Sequence, residues 1–295
     1  MLTTPPPPSL VKVLERGPEH PFDEAMQLLK VTDSSVGGSR YSCTPHKAYA
    51  NMVGPYGGIT AAQTLQSVMQ DSKCVGEPVT LTANYTTPIK DQPFEIITSM
   101  KKTNRTTQHW NVDLVQEGSP AVTAMVITGI RRGNLQHLES PMPLVSPPES
   151  LDRSKLSKAP LPWLSKYDMR FLKGEPNISP TAPKDGSVVA DSESLLWVKD
   201  VPDRPLDYVG LASICDVFAP RIFIHRSSYT PAGTISFTVY FHVDSDALKK
   251  IGSDFLLAQG RANIFYEGFS DQSVRIWTRA GQLIATGHQV CYFKE

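Results

Sequence analysis

Three polar side chains in the carboxyl-terminal part of the chain are suited to activating a water molecule. Asp216 lies in an otherwise apolar segment, Thr234 opens a strand-like run, and Gln289 lies near the end of the last such run. A carboxylate in apolar surroundings is a stronger base near neutral pH, because desolvation raises its pKa. A hydroxyl and a carboxamide add hydrogen bonds that orient water without adding charge. Together the three predict hydrolysis without a metal ion or a covalent nucleophile.

Each of the three also has a purely structural interpretation. A buried acid can be satisfied by a backbone amide, although its burial is costly unless it is paired or used. Threonine is common in strands because it packs well there. Gln289 shares one strand face with Gly287 and Cys291, and a polar group among small side chains is typical of a lined cavity. The functional interpretation therefore depends on the set, not on any one member.

Two successive parts of the chain repeat one order of elements. In each part, an apolar helix-like segment precedes four strand-like runs. The first helix is predicted over residues 59–70 and the second over residues 206–218, ending before Pro220. The predicted strands cover residues 79–86, 94–103, 107–116 and 121–130 in the first part, then 234–243, 255–266, 273–278 and 283–292 in the second.

This repeat predicts the fold class. A single helix cannot cover both faces of a four-stranded sheet, so the sheet must curl around it, and two such units can pair edge to edge. We therefore predict an α+β double hotdog, with two curved antiparallel sheets each wrapped around a long central helix. The predicted organisation is a disordered Pro-rich tail at 1–20, an N-terminal hotdog at 21–135, a Pro- and Ser-rich linker at 136–163, and a C-terminal hotdog with the catalytic residues at 164–295.

Composition narrows the possible partners and surroundings. The 295 residues include 29 basic and 29 acidic ones, so the formal net charge is zero. Nucleic acids and anionic membranes attract basic surfaces, and we expect neither as a partner. No apolar run approaches the roughly 20 residues of a membrane helix, and the first residues lack the regions of a signal peptide. The four cysteines form no close pair and are expected to be free thiols, which favours the cytoplasm.

Several short stretches in a fixed order resemble the double-hotdog acyl-CoA thioesterases, the TesB-like or type II group. The resemblance extends from about residue 20 onward and weakens in the linker. No single stretch is specific, but the order and spacing are, above all in the carboxyl-terminal third. The stretches are Gly57-Gly58, residues 85–88, Leu196-Trp197-Val198, residues 212–216, Thr234 to His242, and Leu283 to Gln289.

The resemblance implies a reaction and the residues that perform it. It implies hydrolysis of an acyl-CoA thioester to a free acid and CoA, with Asp216, Thr234 and Gln289 holding the attacking water. It implies no cofactor. The first half has Val126 where the repeat places Gln289, and its helix contains no acid. One water-activating set is therefore expected in each chain.

Substrate binding is predicted from weaker signals. A helix amino terminus with glycines presents exposed N–H groups, so Gly57 and Gly58 are candidate donors to an oxyanion. Close packing would explain this glycine pair equally well. The acyl chain is expected in a tunnel between helix and sheet, with Trp110, Phe223 and Phe237 as candidate lining residues. The glutamine that often follows the paired glycines of the family is missing here, so the acyl group and the leaving group stay open.

Two other functions compete with acyl-CoA hydrolysis. A hotdog enzyme of a specialised pathway could release or cyclise a polyketide or acyl group carried by an acyl carrier protein. A non-catalytic acyl-binding protein is the third interpretation. No Ser-His-Asp order, nucleophile elbow or zinc-type His and Cys spacing is visible, so we predict neither an α/β-hydrolase nor a metal site. The sheet edges also offer surfaces through which two chains could pair as a homo-oligomer.

Overall fold

The computed structural model describes most of the chain, and the tail predicted at residues 1–20 lies outside the described part except for its last residue. The described ranges are 20–35, 37–133, 135–177, 191–226 and 230–294. None of the helices within them combines the length and apolarity that crossing a bilayer requires. The α-helices in these ranges are α1 Pro21–Ala25, α2 Gly57–Met69, α3 Tyr208–Ile214, α4 Arg221–His225 and α5 Ser245–Ile251.

The strands of the described ranges form one antiparallel sheet of 13 strands. Its order is β1-β2-β4-β5-β6-β3-β9-β13-β12-β10-β8-β7, with β11 paired to β12. The strands are β1 Leu29–Asp33, β2 Ser39–Cys43, β3 Glu77–Tyr85, β4 Phe94–Thr103, β5 Thr107–Gln116, β6 Ser119–Gly129, β7 Tyr167–Lys173, β8 Ser194–Asp200, β9 Ala232–Phe241, β10 Leu256–Arg261, β11 Phe265–Tyr266, β12 Phe269–Thr278 and β13 Leu283–Phe293.

The two halves of the chain meet where β3 pairs with β9. Thr82 and Thr238 face each other at the middle of this joint, and their hydroxyl oxygens lie 3.1 Å apart. Each half therefore contributes one edge strand to the other, which satisfies backbone groups that two separate sheets would leave exposed. The predicted double hotdog with edge-to-edge pairing is confirmed.

Both central helices lie in one apolar core shared by the two halves. Helix α2 packs against β3, β4, β5 and β6, and also against α3. Its side chains Ile59, Leu65 and Val68 are buried at helical spacing, and each contributes roughly 1.5–3 kcal/mol by leaving water. Asp207 directly precedes helix α3, and its carboxylate caps the helix by accepting a hydrogen bond of 2.8 Å from the N–H of Gly210.

The second helix is shorter than predicted. A helix was expected over residues 206–218, but α3 ends at Ile214. Beyond it, the N–H of Asp216 donates to the carbonyl of Ser213, three residues back, which is the tighter spacing of a turn. Asp216 therefore follows the helix instead of lying within it. The prediction was wrong because the stretch is buried on nearly all sides, and apolarity alone does not distinguish a buried helix from a buried turn.

Some strands were also missed or merged by the prediction. The first half has two additional strands, β1 and β2, and β1 is exposed along its whole length. It therefore lacks the alternation of apolar and polar residues that identifies a half-buried strand. The second half has β7 beside β8, and the single strand predicted at 255–266 is divided into β10 and β11.

The segment predicted as a linker, residues 136–163, is packed against the protein on two sides. Its first part, as far as Leu151, packs over the sheet face that points away from the helices, whereas Leu156 and Trp163 in its last part pack in the main core. The indole nitrogens of Trp197 and Trp277 on that face donate to the carbonyls of Ser146 and Ser140, at 2.9 and 3.0 Å. Apolar side chains of the segment pack against the same tryptophans. The Pro- and Ser-rich connection is thus fixed to the second half along much of its length.

Candidate active site

A cavity of about 500 Å³ lies between the two halves. Its wall is formed by the amino terminus of α2, the turn after α3, the start of β9 and the end of β13, together with residues from the connecting segment. Among the described residues, aromatic, aliphatic and neutral polar side chains make up this wall, together with two charged ones, Asp216 and Arg221. This size and chemistry are typical of pockets that bind small molecules through a few placed polar groups.

Asp216 is held on the cavity wall by two hydrogen-bond donors. Nε2 of Gln289 donates to Oδ1 of Asp216, and the backbone N–H of Gly58 donates to the same carboxyl group. Desolvation by the surrounding protein raises the pKa of Asp216 to about 7, although both hydrogen bonds oppose this rise. Near neutral pH this carboxylate can therefore take up and release a proton, as a general base must.

The paired glycines allow the amino terminus of α2 to approach Asp216. A Cβ atom on Gly57 would lie 2.8 Å from Oδ2 of Asp216, and one on Gly58 would lie 2.5 Å from the Tyr56 ring. The peptide unit between the glycines is held at both ends, since its carbonyl accepts from the Tyr85 hydroxyl at 2.9 Å and its N–H donates to Asp216. Asp216 thus supplies the cap that Tyr56, at the N-cap position, does not provide.

This geometry bears on the predicted role of the glycines. One of the two candidate oxyanion donors, the N–H of Gly58, points at the carboxylate of Asp216. The close approach of backbone and side chain also explains why glycine is present at both positions. Oxyanion binding by Gly57 and Gly58 stays a prediction.

Thr234 lies on the same cavity wall, near the start of β9. It is linked to Gln289 through Cys291, whose Sγ lies 3.7 Å from Oγ1 of Thr234 and 3.8 Å from Oε1 of Gln289. Burial raises the pKa of Cys291 to about 11, so this residue is a neutral thiol near pH 7 and a poor nucleophile. The three predicted residues thus line one cavity, with Asp216 and Gln289 in direct contact.

A second glutamine lies behind Gln289. Gln272 on β12 is its cross-strand partner, and Nε2 of Gln272 donates to Oε1 of Gln289 at 3.1 Å. Both side chains are buried. The sequence analysis did not identify Gln272. Its place on the inward face of its strand, in line with Val274 and Ile276, was the one available signal.

Aromatic packing connects the cavity wall to the first half. The ring of Tyr56 stacks on the indole of Trp163, with centroids 4.2 Å apart, and its hydroxyl donates to the carbonyl of Ser213 at 2.7 Å. Of the three aromatic residues predicted to line a tunnel, Phe223 does line the cavity. Trp110 and Phe237 do not, because they are buried in the core of the sheet. The sequence analysis identified neither Tyr56 nor Trp163 as a wall residue.

Arg221 is the other charged side chain of the wall. Its guanidinium donates to the carbonyl of Ala219 at 2.6 Å and to the hydroxyl of Ser194 at 2.8 Å. Burial lowers its pKa to about 9, which leaves it protonated at neutral pH. In the described ranges, His, Cys, Asp and Glu form no cluster of three or more that could hold a metal ion.

Two family models match the chain in adjacent regions. The model of the acyl-CoA thioesterase N-terminal domain matches residues 46–129, and that of the acyl-CoA thioesterase C-terminal domain matches residues 142–293. The chain belongs to the TesB-like acyl-CoA thioesterases. The C-terminal match contains Asp216, Thr234 and Gln289, and the N-terminal match contains the glycine pair at the start of α2. This thioesterase therefore forms its candidate site from both family domains.

Solved structures resemble the thioesterase over nearly its whole length. A conserved hot dog fold protein of unknown function from Alicyclobacillus acidocaldarius is 36% identical, with a TM-score of 0.83, covering 94% of this chain and 99% of that one. The tesB protein of Mycobacterium avium subs paratuberculosis is 20% identical, with a TM-score of 0.70 and coverage of 93% and 98%. Acyl-CoA thioesterase II TesB2 from Mycobacterium marinum is 16% identical, with a TM-score of 0.68 and coverage of 92% and 98%. The comparison with curated proteins gives no match.

Proposed function

We propose that this thioesterase hydrolyses an acyl-CoA to a free acid and CoA by means of a water molecule that Asp216 activates and that Thr234 and Gln289 orient. The observation that supports this proposal is the desolvated Asp216 carboxylate on the wall of the cavity, held by Gln289 and the amino terminus of α2. Its pKa of about 7 allows it to act as a base at neutral pH without a metal ion.

The proposed reaction has two steps. The carboxylate of Asp216 takes a proton from water as the water oxygen attacks the thioester carbonyl carbon, and the carbonyl oxygen becomes an oxyanion. The oxyanion then collapses, the carbon–sulfur bond breaks, and the thiolate of CoA receives the proton from Asp216. The products are the carboxylic acid and the CoA thiol. Thiolates leave readily, so no covalent enzyme intermediate is required.

The neighbouring groups have separate roles in this proposal. Gln289 fixes Oδ1 of Asp216 through its Nε2, and the carboxylate has further lone pairs with which to accept from water beside the Gly58 N–H. Thr234 contributes a hydroxyl from β9 that can accept from or donate to the same water. Gly57, at the positive end of the α2 dipole, is our candidate for stabilising the oxyanion. The acyl group would lie against the apolar wall that includes Phe223 and Trp163.

The decisive experiment compares two buried aspartates. Asp200 is also buried, and desolvation raises its pKa to about 7 as well, but it lies outside the cavity wall. Thiol release from acyl-CoAs of graded chain length is measured for the wild type, Asp216→Asn and Asp200→Asn. We expect Asp216→Asn to lower kcat by about 10³-fold, whereas Asp200→Asn stays within about threefold of the wild type.

Equal activity of wild type and Asp216→Asn would reject the catalytic assignment. Cleavage of a thioester on an acyl carrier protein, without cleavage of any acyl-CoA, would retain Asp216 but replace the proposed leaving group.

We propose the cytoplasm as the location of the reaction, because the cysteines of the described ranges are free thiols.

A further inference from the structure

Gln272 lies in the layer of side chains directly behind the proposed catalytic residues. We propose that Gln272 is a positioning residue that fixes the carboxamide of Gln289 in the orientation that presents its N–H group to Asp216. This inference rests on the proposed function, because it assigns Gln272 an effect that acts through Gln289. Gln272 is not itself on the cavity wall and does not contact substrate in this proposal.

The contacts form a short chain of donors from β12 to the cavity. Gln272 and Gln289 are direct partners in the β12–β13 ladder, and both face the interior with exposures of 1% and 3%. Nε2 of Gln272 donates to Oε1 of Gln289, and Nε2 of Gln289 donates to Oδ1 of Asp216. Gln289 therefore accepts from Gln272 through its oxygen and donates toward the cavity through its nitrogen, and Gln272 is the first donor in this chain.

The orientation of Gln289 needs a determinant because a carboxamide has two ends of nearly equal shape. Rotation by 180° would exchange its N–H group for its oxygen, and that oxygen would then face the Asp216 carboxylate. Two acceptors in contact repel each other, so the flipped form cannot support the ionised base. The Cys291 thiol also lies near Oε1 of Gln289, at 3.8 Å, but a thiol is a weak donor. Gln272 is therefore the principal group that selects the productive orientation.

A second observation separates this role from simple packing. Oε1 of Gln272 is buried and has no hydrogen-bond partner among the described residues. Leaving a buried carbonyl oxygen unpaired costs stability, and a methionine or leucine of similar size would avoid that cost. The donor at the other end of this side chain accounts for a glutamine at this position, because that nitrogen is the atom that contacts Gln289.

The test uses Gln272→Met, which keeps the size of the side chain and removes its donor. We expect kcat to fall by between about tenfold and hundredfold, with little change in KM. We also expect the acidic limb of the kcat/KM profile to move to higher pH, because loss of an oriented donor raises the pKa of Asp216. Gln116→Met is the matched control, since Gln116 is a buried glutamine on β5 whose side chain, among the described residues, bonds to the segment at residues 90–93. It should lower the melting temperature without moving the pH profile.

A double-mutant cycle tests the path of the effect. If Gln272 acts through Gln289, then adding Gln272→Met to Gln289→Ala should change kcat by less than about twofold. Gln272→Glu supplies a second variant in case Gln272→Met does not fold. Its carboxylate is an acceptor only, so it should turn the Gln289 amide around and reduce kcat by more than methionine does.

Wild-type kcat and an unmoved pH profile in Gln272→Met or Gln272→Glu, with Gln289→Ala impaired, would overturn the positioning role and leave the proposed function standing. Independent, multiplicative losses in the double mutant would overturn it as well. An unimpaired Gln289→Ala would reject the proposed function, and the positioning role with it.

Discussion

The two halves of this thioesterase share a fold but contribute different parts of the site. One residue before the central threonines of the joint, Leu81 in the first half pairs with Val126, and Phe237 in the second half pairs with Gln289. The same strand position therefore carries a valine in one half and the candidate-site glutamine in the other. The helices differ in the same way, because α2 has 13 residues and α3 has 7.

This difference shows how a duplicated fold can build one site from two copies. The full-length helix of the first half supplies an amino terminus, whose first N–H groups have no partner within the helix. The shortened helix of the second half leaves room for a turn that directs Asp216 at that terminus. The carboxylate of one half thus caps the helix of the other. We infer that neither half would retain the activity alone.

The largest effect is expected when the second half receives the valine that the first half has at this strand position. Gln289→Val removes the donor to Asp216, and we expect kcat for acyl-CoA hydrolysis to fall by about 10²–10³-fold. Val126→Ala is the control, because Val126 is fully buried in the first half and lies off the cavity wall. It should lower stability but keep kcat within about threefold of the wild type. Similar losses in both variants would contradict the functional asymmetry of the halves.

The shape of the helix amino terminus gives the next prediction. Gly57→Ala places a Cβ atom 2.8 Å from Oδ2 of Asp216, so the carboxylate must move away from its position on the cavity wall. We expect kcat to fall by between about tenfold and hundredfold. Gly210→Ala in α3 is the matched control, since its Cβ would meet the side-chain ends of Arg204, Asp207 and Leu206 at 3.1, 3.2 and 3.7 Å. Steady-state kinetics of both variants test this prediction. A fully active Gly57→Ala variant would show that catalysis does not depend on the position of the Asp216 carboxylate.

Much of this fold could be predicted because most of its strands either alternate apolar with polar residues or are strongly apolar. β4 and β5 have the predicted bounds, β3, β6 and β9 differ from prediction by one or two residues at each end, and β13 is one residue longer. β1 was missed because it is exposed throughout. The helix predicted at 206–218 was too long, since a buried turn is as apolar as a buried helix.

The candidate site was predictable only in part, because its geometry is non-local. The resemblance placed Asp216 and Gln289 in one site, and the structure brings them into contact. The resemblance gave no indication that the N–H of Gly58 would point at Asp216, because that contact depends on how the two halves pack. Gln272 was missed because its role depends on a cross-strand partner, and one sequence does not reveal which strands are neighbours.

The smallest predicted effect is the change in the free energy of unfolding that the buried Asp216 carboxylate causes. Folding raises the pKa of Asp216 from its ordinary value near 4 to about 7, so the folded state binds more protons than the unfolded state between these values. The free energy of unfolding contributed by this group therefore decreases as pH rises from about 4 to 7. Asp216→Asn removes the ionisation, and we expect it to be more stable than the wild type at pH 8 by about 1–2 kcal/mol.

Denaturant unfolding of both proteins at pH 5 and pH 8 measures this effect. The advantage of the asparagine variant should be larger at pH 8 than at pH 5, because the wild-type carboxylate is ionised only at the higher pH. An advantage that does not change with pH would mean that the carboxylate is not desolvated in the folded state.

The pH dependence of kcat/KM tests most directly the claim that Asp216 is the base. For the wild type acting on one acyl-CoA, kcat/KM should rise about tenfold per pH unit below an apparent pKa near 7 and become constant above it. The kcat/KM profile of Gln272→Met should have the same shape, with its acidic limb shifted to higher pH. A wild-type rate that is constant from about pH 5 to pH 9, or that falls as pH rises through 7, would contradict general-base catalysis by Asp216.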